Sequence, residues 1–349
     1  MNFVREAVRK MEGYVPGEQP QEEGYIKLNT NENPYPPSPK IVERLIEFLS
    51  HASLALYPQP LSDRVREQIE KIYGFPREWV MVGNGSDELL NIVLRVFAGK
   101  GDVVAYPFPT YTLYRTLVLL QEAEPREIPF PEDFSLPGEL ITVKANLKVL
   151  CNPNSPTGTY IPKEEIEELL RMSSCPVLVD EAYVDFAPES VLSLLPRFSN
   201  LLVARTLSKS FSLAGLRIGF LFAHPETLRE ILKAKDSYNV STLSQVGAEV
   251  ALEEIAYAME NVERIRRTRS WFTRKMEEMG FYVYPSQANF ILIRREGYDL
   301  RFLYEALKKR KILVRYFGEW PSCLRITVGT DEQMEALLHN MREIVRELF

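Results

Sequence analysis

Hydrophobic and polar positions change period several times along this chain, and each change marks an element. Between Ile41 and Leu49, and again between Ser62 and Tyr73, apolar residues recur at helical spacing. Trp79–Val82 is a short apolar run of strand type, and Ser86–Phe97 returns to the helical period. Further strands are expected at Asp102–Tyr106, Lys148–Cys151, Pro176–Asp180 and Asn200–Ala204. A helix from Pro162 to Arg171 falls between Cys151 and Pro176, with proline in the first helical position. Short, wholly apolar strands that alternate with helices are covered on both faces, which predicts a large, mostly parallel sheet in an α/β fold.

Past Lys235 the pattern changes. Two long helices, Ser241–Tyr257 and Met259–Met279, lead into apolar segments at Phe281–Tyr284 and Asn289–Arg294. A helix at Leu300–Lys309, two more short strands and a terminal helix at Asp331–Leu348 follow, the outline of a smaller α/β domain. Tyr14–Pro39, rich in proline, asparagine and glutamate, reads as an extended arm with few contacts of its own. The expected division is therefore an arm over residues 1–30, packing with the small domain or a partner subunit, a large domain over 31–238 and a small one over 239–349. A chain of 349 residues is long enough for two such domains.

Composition and charge narrow the chemistry. Apolar residues make up 45% and the net charge is −6, so bulk attraction to a nucleic-acid backbone is excluded. The basic run Arg264–Lys275 is read as a solvated helix face. No apolar run approaches the ~20 residues of a membrane span, and Met1–Met11 lacks the apolar core of an export signal, so the expected location is the cytoplasm. Three scattered histidines and three unpaired cysteines argue against a metal site and against a serine–histidine–acid hydrolase. Proton transfer would then fall to Lys, Tyr, Asp or Glu.

Four segments carry the candidate chemistry. Thr206–Gly219 contains Ser208-Lys209-Ser210 and, eight positions after the lysine, Arg217; it lies between two apolar strands, where ligands bind in open α/β sheets. The strand Val177-Leu178-Val179 ends in Asp180, delivering a carboxylate that needs a cationic or hydrogen-bonding partner. Cys151–Gly158 is a proline-locked turn that places Asn152 at the same edge. Gly83-Asn84-Gly85-Ser86-Asp87 follows a strand and opens a helix, where backbone amides form an anion site. It is not a dinucleotide fingerprint, since Glu88 stands where the third glycine would be.

Together with Leu28–Pro34 and Pro37–Pro39 in the arm, Tyr57–Pro60, Asp180–Phe186 and Leu324–Gly329, these segments resemble the fold-type I, pyridoxal-phosphate-dependent aminotransferases over nearly the whole chain. The arm and the Asp180–Phe186 run are similar to the histidinol-phosphate aminotransferase subfamily. The resemblance implies that Lys209 holds the cofactor as a Schiff base and then moves the proton. Asp180 would face the pyridine nitrogen, Tyr183 and Asn152 the phenolic oxygen, and Tyr111 would stack on the ring. Arg217, Ser208, Thr206 and the backbone at Gly85 and Ser86, beside Asp87, would bind the phosphate, joined by Tyr57 from a neighbouring subunit. Lys209, Asp180 and Tyr183 are thus the expected catalytic residues.

The same resemblance implies that Arg325 takes the substrate's anionic group, with Arg315 as a second clamp. Asn31 would line the substrate site, and Tyr14 would close over it from the other subunit. It further implies a homodimer with shared active sites. The substrates would be histidinol phosphate and 2-oxoglutarate, giving imidazole acetol phosphate and glutamate in histidine biosynthesis. An aromatic amino-acid aminotransferase and a non-catalytic regulator on this fold are the alternatives. Ser155, Gln59, Ser210 and Tyr35 stand where the family often has other residues.

Overall fold

A computed structural model describes residues 3–51 and 54–348. A two-residue strand, β1 (Ile26–Lys27), precedes the main sheet. That sheet is built from β2 (Val80–Gly83), β3 (Val103–Phe108), β4 (Glu124–Pro129), β5 (Leu147–Cys151), β6 (Val177–Asp180), β7 (Leu201–Thr206) and β8 (Gly219–Ala223). Their order is β2-β8-β7-β6-β5-β3-β4, and only β8 runs against its neighbours.

Alternation along the strands explains the two layers. Val177 and Val179 face one hydrophobic cluster with Val203, Phe220 and Phe222, while Leu178 faces the other with Met81, Leu202 and Leu221. Both faces are apolar, so β6, β7 and β8 carry no polar side chain before their C-terminal ends. At the C-terminal edge Cys151 pairs with Asp180 and Asp180 with Ala204, and Gly219 lies between Gly83 and Thr206. The segments singled out from sequence therefore open onto one edge of one sheet.

Among the elements the sequence pattern missed are β4 and the helix after β3. β4 is an edge strand whose Pro125 and Pro129 need no ladder partner on the open side. The helix Leu113–Leu120 is short and holds only two polar residues, Arg115 and Thr116, although Tyr114, Leu117 and Val118 form a buried face.

A four-stranded antiparallel sheet follows, with β9 (Tyr282–Val283), β10 (Phe290–Arg294), β12 (Arg315–Tyr316) and β13 (Cys323–Thr327) in the order β12-β13-β10-β9. β11 (Ile312–Leu313) lies between β10 and β12 in the chain and pairs with β1 instead. The packing does not divide at residues 30 and 238. The helix Thr242–Glu253 joins the large-sheet cluster through Ala248, Ala251 and Leu252, and Ala258 belongs to the same cluster. Phe272 and Met276, on the same 24-residue helix as Ala258 (Ile255–Glu278), pack instead in the small-sheet cluster with Leu28. That helix is thus shared by both cores.

The arm also differs from expectation. Leu28, Asn29 and Asn31 are fully buried, and Arg315 donates to the carbonyls of Val15 (3.1 Å) and Pro16 (3.3 Å). Proline, asparagine and glutamate suppress regular structure there without suppressing contact.

Candidate active site

A cavity of about 500 Å³ opens at the C-terminal edge of β5–β7, walled by both sheets and the arm. The alternation that builds the core also aims its polar groups. Asp180 ends β6 almost completely buried; Ala182 N–H donates to its Oδ1 (3.1 Å) and the Tyr114 hydroxyl to its Oδ2 (2.8 Å). Burial, only partly offset by these donors, pushes the Asp180 carboxyl up to about 6. A cation beside it would return it to the ionised form.

Lys209 sits on the loop after β7, its Nζ 3.3 Å from Thr30 O and 5.7 Å from the centre of the Tyr183 ring. Burial, and then Arg325, bring its amine down to about 8, against the opposing pull of Glu32 and Asp87. The Tyr183 hydroxyl accepts from Asn31 Nδ2 at 3.0 Å. Burial moves that phenol up to about 12, so it stays a neutral donor at ordinary pH.

A second cluster forms at the start of the helix Ser86–Phe97. Among the described residues no side chain caps this helix. Gly85 has φ +80°, and a Cβ there would come within 2.7 Å of Arg217 Nη2; at Gly219 it would come within 2.7 Å of Ser86 N. Arg217, itself left-handed at φ 53°, lies 3.4 Å from Ser208 Oγ and from Asp87 Oδ2. Thr206 supports the turn by accepting from Ser208 N–H at 3.1 Å. Helix amides, a guanidinium and hydroxyls around a gap cleared by two glycines fit a phosphate ester. With Asp180 and Lys209 in the same cavity, the residues fit a phosphorylated pyridine aldehyde.

Arg325 reaches the cavity from β13. It donates to Asn29 O (3.0 Å) and Ser155 Oγ (3.2 Å), while its buried Nε has no hydrogen-bond partner among the described residues. An unpaired buried guanidinium nitrogen costs about 1–3 kcal/mol, which an incoming anion would relieve. Arg315 is also in the wall, although its guanidinium now holds the arm.

The structure thus gathers Tyr14, Asn31, Ser86, Asp87, Tyr111, Asp180, Tyr183, Thr206, Ser208, Lys209, Arg217, Arg315 and Arg325 around one space, with Gly85 behind Arg217. One residue departs from expectation. Asn152 donates to Ile161 O (3.0 Å) and accepts from Ile161 N–H (2.8 Å), so its amide closes a turn away from the cavity. Cys151 shares a sheet face with Asp180, and the next residue necessarily points the other way. Ser155 occupies the wall instead. Tyr14 packs edge-on against Tyr111 of its own chain (5.6 Å). Tyr57 lies outside the cavity, 80% exposed and stacked on Tyr238.

Tyr114, Ser155, Thr30 and Glu32 were not foreseen. For Tyr114 a signal exists, since it follows Tyr111 by one helical turn. No described group of His, Cys, Asp or Glu is arranged to hold a metal ion, and no described helix is long and apolar enough to cross a membrane.

Fold and site together define a class, and comparison with known proteins gives the same class. Residues 23–341 match the model of the family described as aminotransferase class I and II, and the chain belongs to that family. More narrowly, it is 43% identical to histidinol-phosphate aminotransferase 1 of Trichormus variabilis, with 99% of each chain covered. It is 42% identical to the histidinol-phosphate aminotransferase of Syntrophotalea carbinolica, covering 99% of this chain and all of that one. Among solved structures, the histidinol-phosphate aminotransferase of Sinorhizobium meliloti in complex with pyridoxal-5'-phosphate superposes with a TM-score of 0.91 over 100% of this chain and 99% of that one, at 23% identity. The L-threonine-O-3-phosphate decarboxylase of Porphyromonas gingivalis superposes at 0.83 and 22% identity over 92% of this chain and 99% of that one, so the fold is shared by more than one activity.

Proposed function

We propose that this chain transfers the amino group of L-histidinol phosphate to 2-oxoglutarate, with pyridoxal phosphate as cofactor, in histidine biosynthesis. Full-length relatives at 42–43% identity carry that activity in their names. The observation that carries the reading is Arg325, a buried guanidinium with a vacant Nε in the cavity wall that holds Lys209. Both substrates carry anionic groups for it, a phosphate on one and two carboxylates on the other. One arginine fork serves either.

Bound pyridoxal phosphate supplies a cationic conjugated ring that takes up the electron pair left when a substrate carbon loses its proton. The chain's own groups do the rest. Helix amides at Ser86, with Arg217, Ser208 and Thr206, anchor the phosphate. Asp180 keeps the ring nitrogen protonated, and the Tyr114 hydroxyl keeps Asp180 aimed. Tyr183 donates to the cofactor's phenolic oxygen. Lys209 Nζ, its affinity for protons lowered toward neutrality, removes the proton from the amino-bearing carbon. Tyr14, Tyr111 and the arm exclude water from the reacting end.

The working unit in this reading is a homodimer in the cytoplasm. Val42, Ile46 and Leu49 form an exposed apolar stripe on the helix Pro39–His51, close in sequence to exposed Leu54, Leu56 and Tyr57. A second copy would cover this surface and bring its Tyr57 to the phosphate. Cys151, Cys175 and Cys323 are buried thiols, as in a reducing compartment.

The test is a visible-absorption titration of the cofactor-loaded protein with L-histidinol phosphate and, separately, L-phenylalanine. Conversion of the lysine-bound band by histidinol phosphate at far lower concentration supports the assignment. Equal conversion by phenylalanine would make this an aromatic aminotransferase, and absence of a band in wild type would remove the cofactor.

A further inference from the structure

Lys209 lies on a segment, Leu207–Leu213, that belongs to no helix or strand, although the reaction requires its Nζ to be placed to within a fraction of an ångström. What holds that segment is visible on both of its sides. From the arm, Asn33 Nδ2 lies 3.0 Å from Lys209 O and 3.1 Å from Ser210 O. Asn33 Oδ1 meanwhile accepts from Tyr35 N–H at 3.0 Å, which fixes the orientation of the amide. On the other side the Ser210 hydroxyl donates to Asp185 Oδ2. Asp185 Oδ1 accepts from Arg205 Nη2, and Arg205 is buried over the Tyr73 ring at 4.8 Å. Arg266, from the long helix, donates to the carbonyls of Asp185 (3.2 Å) and Ala187 (2.7 Å).

We propose that Asn33 and Ser210, the latter backed by Asp185 and Arg205, are positioning residues for Lys209. They pin the main chain at two successive peptide units, so that Nζ changes place by side-chain rotation alone. The inference rests on the reading of Lys209 as the reacting amine. Neither residue lies in the cavity wall, so neither is a catalytic residue. Ser210 stands where an alanine is common in the family, and the hydroxyl makes this chain's clamp two-sided.

Three variants separate positioning from general structural support. Ser210→Ala deletes one hydroxyl and leaves the packing intact. Asn33→Ala removes the other side. Asn33→Asp keeps the acceptor for Tyr35 N–H but sets a carboxylate oxygen against the two carbonyls. On the cofactor-loaded protein, amide hydrogen exchange across residues 207–213 should rise ~10-fold in each variant, with exchange in β5 and β6 unchanged. In turnover, kcat should fall ~10-fold for Ser210→Ala and further for Asn33→Asp, while KM for both substrates stays within about twofold. Ser210→Ala combined with Asn33→Ala should lose less than the product of the two single effects, because both hold one segment.

Unchanged exchange in 207–213 with kcat within twofold in Ser210→Ala overturns the proposal, and so does a loss confined to KM. Should Asn33→Ala fail to fold, Ser210→Ala alone decides. Wild-type protein that carries no lysine-bound cofactor band would instead overturn the reading of Lys209, and this inference with it.

Discussion

Replacing Asp180 with asparagine should make the cofactor-free protein more stable, although it removes a charge essential to the proposed chemistry. The carboxyl is 2% exposed and lifted from 3.8 to about 6, chiefly by burial. A shift of about two units corresponds to about 3 kcal/mol held against folding once the group is ionised in both states. For an acid whose folded-state affinity for protons is raised, the folded chain binds the extra proton between about pH 4 and 6. Stability from this group therefore falls as pH rises through that window and stays low above it. Asparagine is close in shape and has no charge to bury. It can still accept from Ala182 N–H, while its contact with the Tyr114 hydroxyl is weakened by about 1 kcal/mol.

The net expectation at pH 8 is a gain of about 1–2 kcal/mol for Asp180→Asn over wild type. At pH 5 about half of the ionisation cost has already gone, so the difference should shrink by about 1.4 kcal/mol. Urea unfolding of both cofactor-free proteins at the two pH values measures this as a midpoint shift of a few tenths of a molar. Loading with pyridoxal phosphate should reverse the order, since only the carboxylate meets a cationic ring. A difference that is flat between pH 5 and 8, or a variant less stable than wild type at pH 8, refutes the reasoning.

Three further outcomes follow from the geometry. Arg325→Lys loses the planar fork and its contacts to Asn29 O and Ser155 Oγ; KM for histidinol phosphate and for 2-oxoglutarate should both rise ~10–100-fold in steady-state kinetics, with a smaller change in kcat. Gly85→Ala puts a methyl within 2.7 Å of Arg217 Nη2 at φ +80°, so equilibrium dialysis should show cofactor affinity down at least ~10-fold. Lys209, lowered to about 8, should react with an amine-directed acylating reagent in cofactor-free protein along a curve with its midpoint near pH 8. Because that folded-state value is depressed, stability from Lys209 should rise from about pH 8 to 10.5 and be absent below, which pH-dependent unfolding of Lys209→Met against wild type checks.

The parts of the site that were legible lie where strand ends meet turns. Val177–Val179 had to be a buried strand, so Asp180 had to emerge at its edge, and the same syntax placed Lys209 and Arg217 after β7. What escaped depends on which face a residue takes one step past a strand. In Cys151-Asn152-Pro153-Asn154-Ser155 every polar residue is a plausible ligand by type. Only the register of Cys151 against Asp180 shows that Asn152 turns toward Ile161. Tyr114 escaped for a different reason, since its hydroxyl is satisfied by a carboxylate 66 positions away. The arm was misjudged because its composition describes its scarcity of regular structure, with β1 a strand of two residues, and not its burial.

On the proposed reading of Arg325 as the substrate's anion clamp, that arm explains how one arginine would serve two unlike anions. Its residues 29–33 supply Asn29 O to Arg325, Thr30 O to Lys209, Asn31 to Tyr183 and Asn33 to the Lys209 backbone, while β1, just before them, is paired to β11 of the small-sheet side. Every present partner of Arg325 is a neutral oxygen, worth about 0.5–1.5 kcal/mol, whereas a charged acceptor is worth about 1.5–3. A substrate phosphate or carboxylate bound there would displace Asn29 O and Ser155 Oγ at a net gain, and would also satisfy the vacant Nε. The displacement acts on the same short stretch of backbone that holds Lys209 and Tyr183. Anion binding and alignment at the reacting carbon would thus be coupled through covalent geometry. Any substrate anion that reaches Arg325 engages this coupling, so discrimination between amino donors has to come from the remaining wall, where Tyr14, Tyr111 and Glu32 stand.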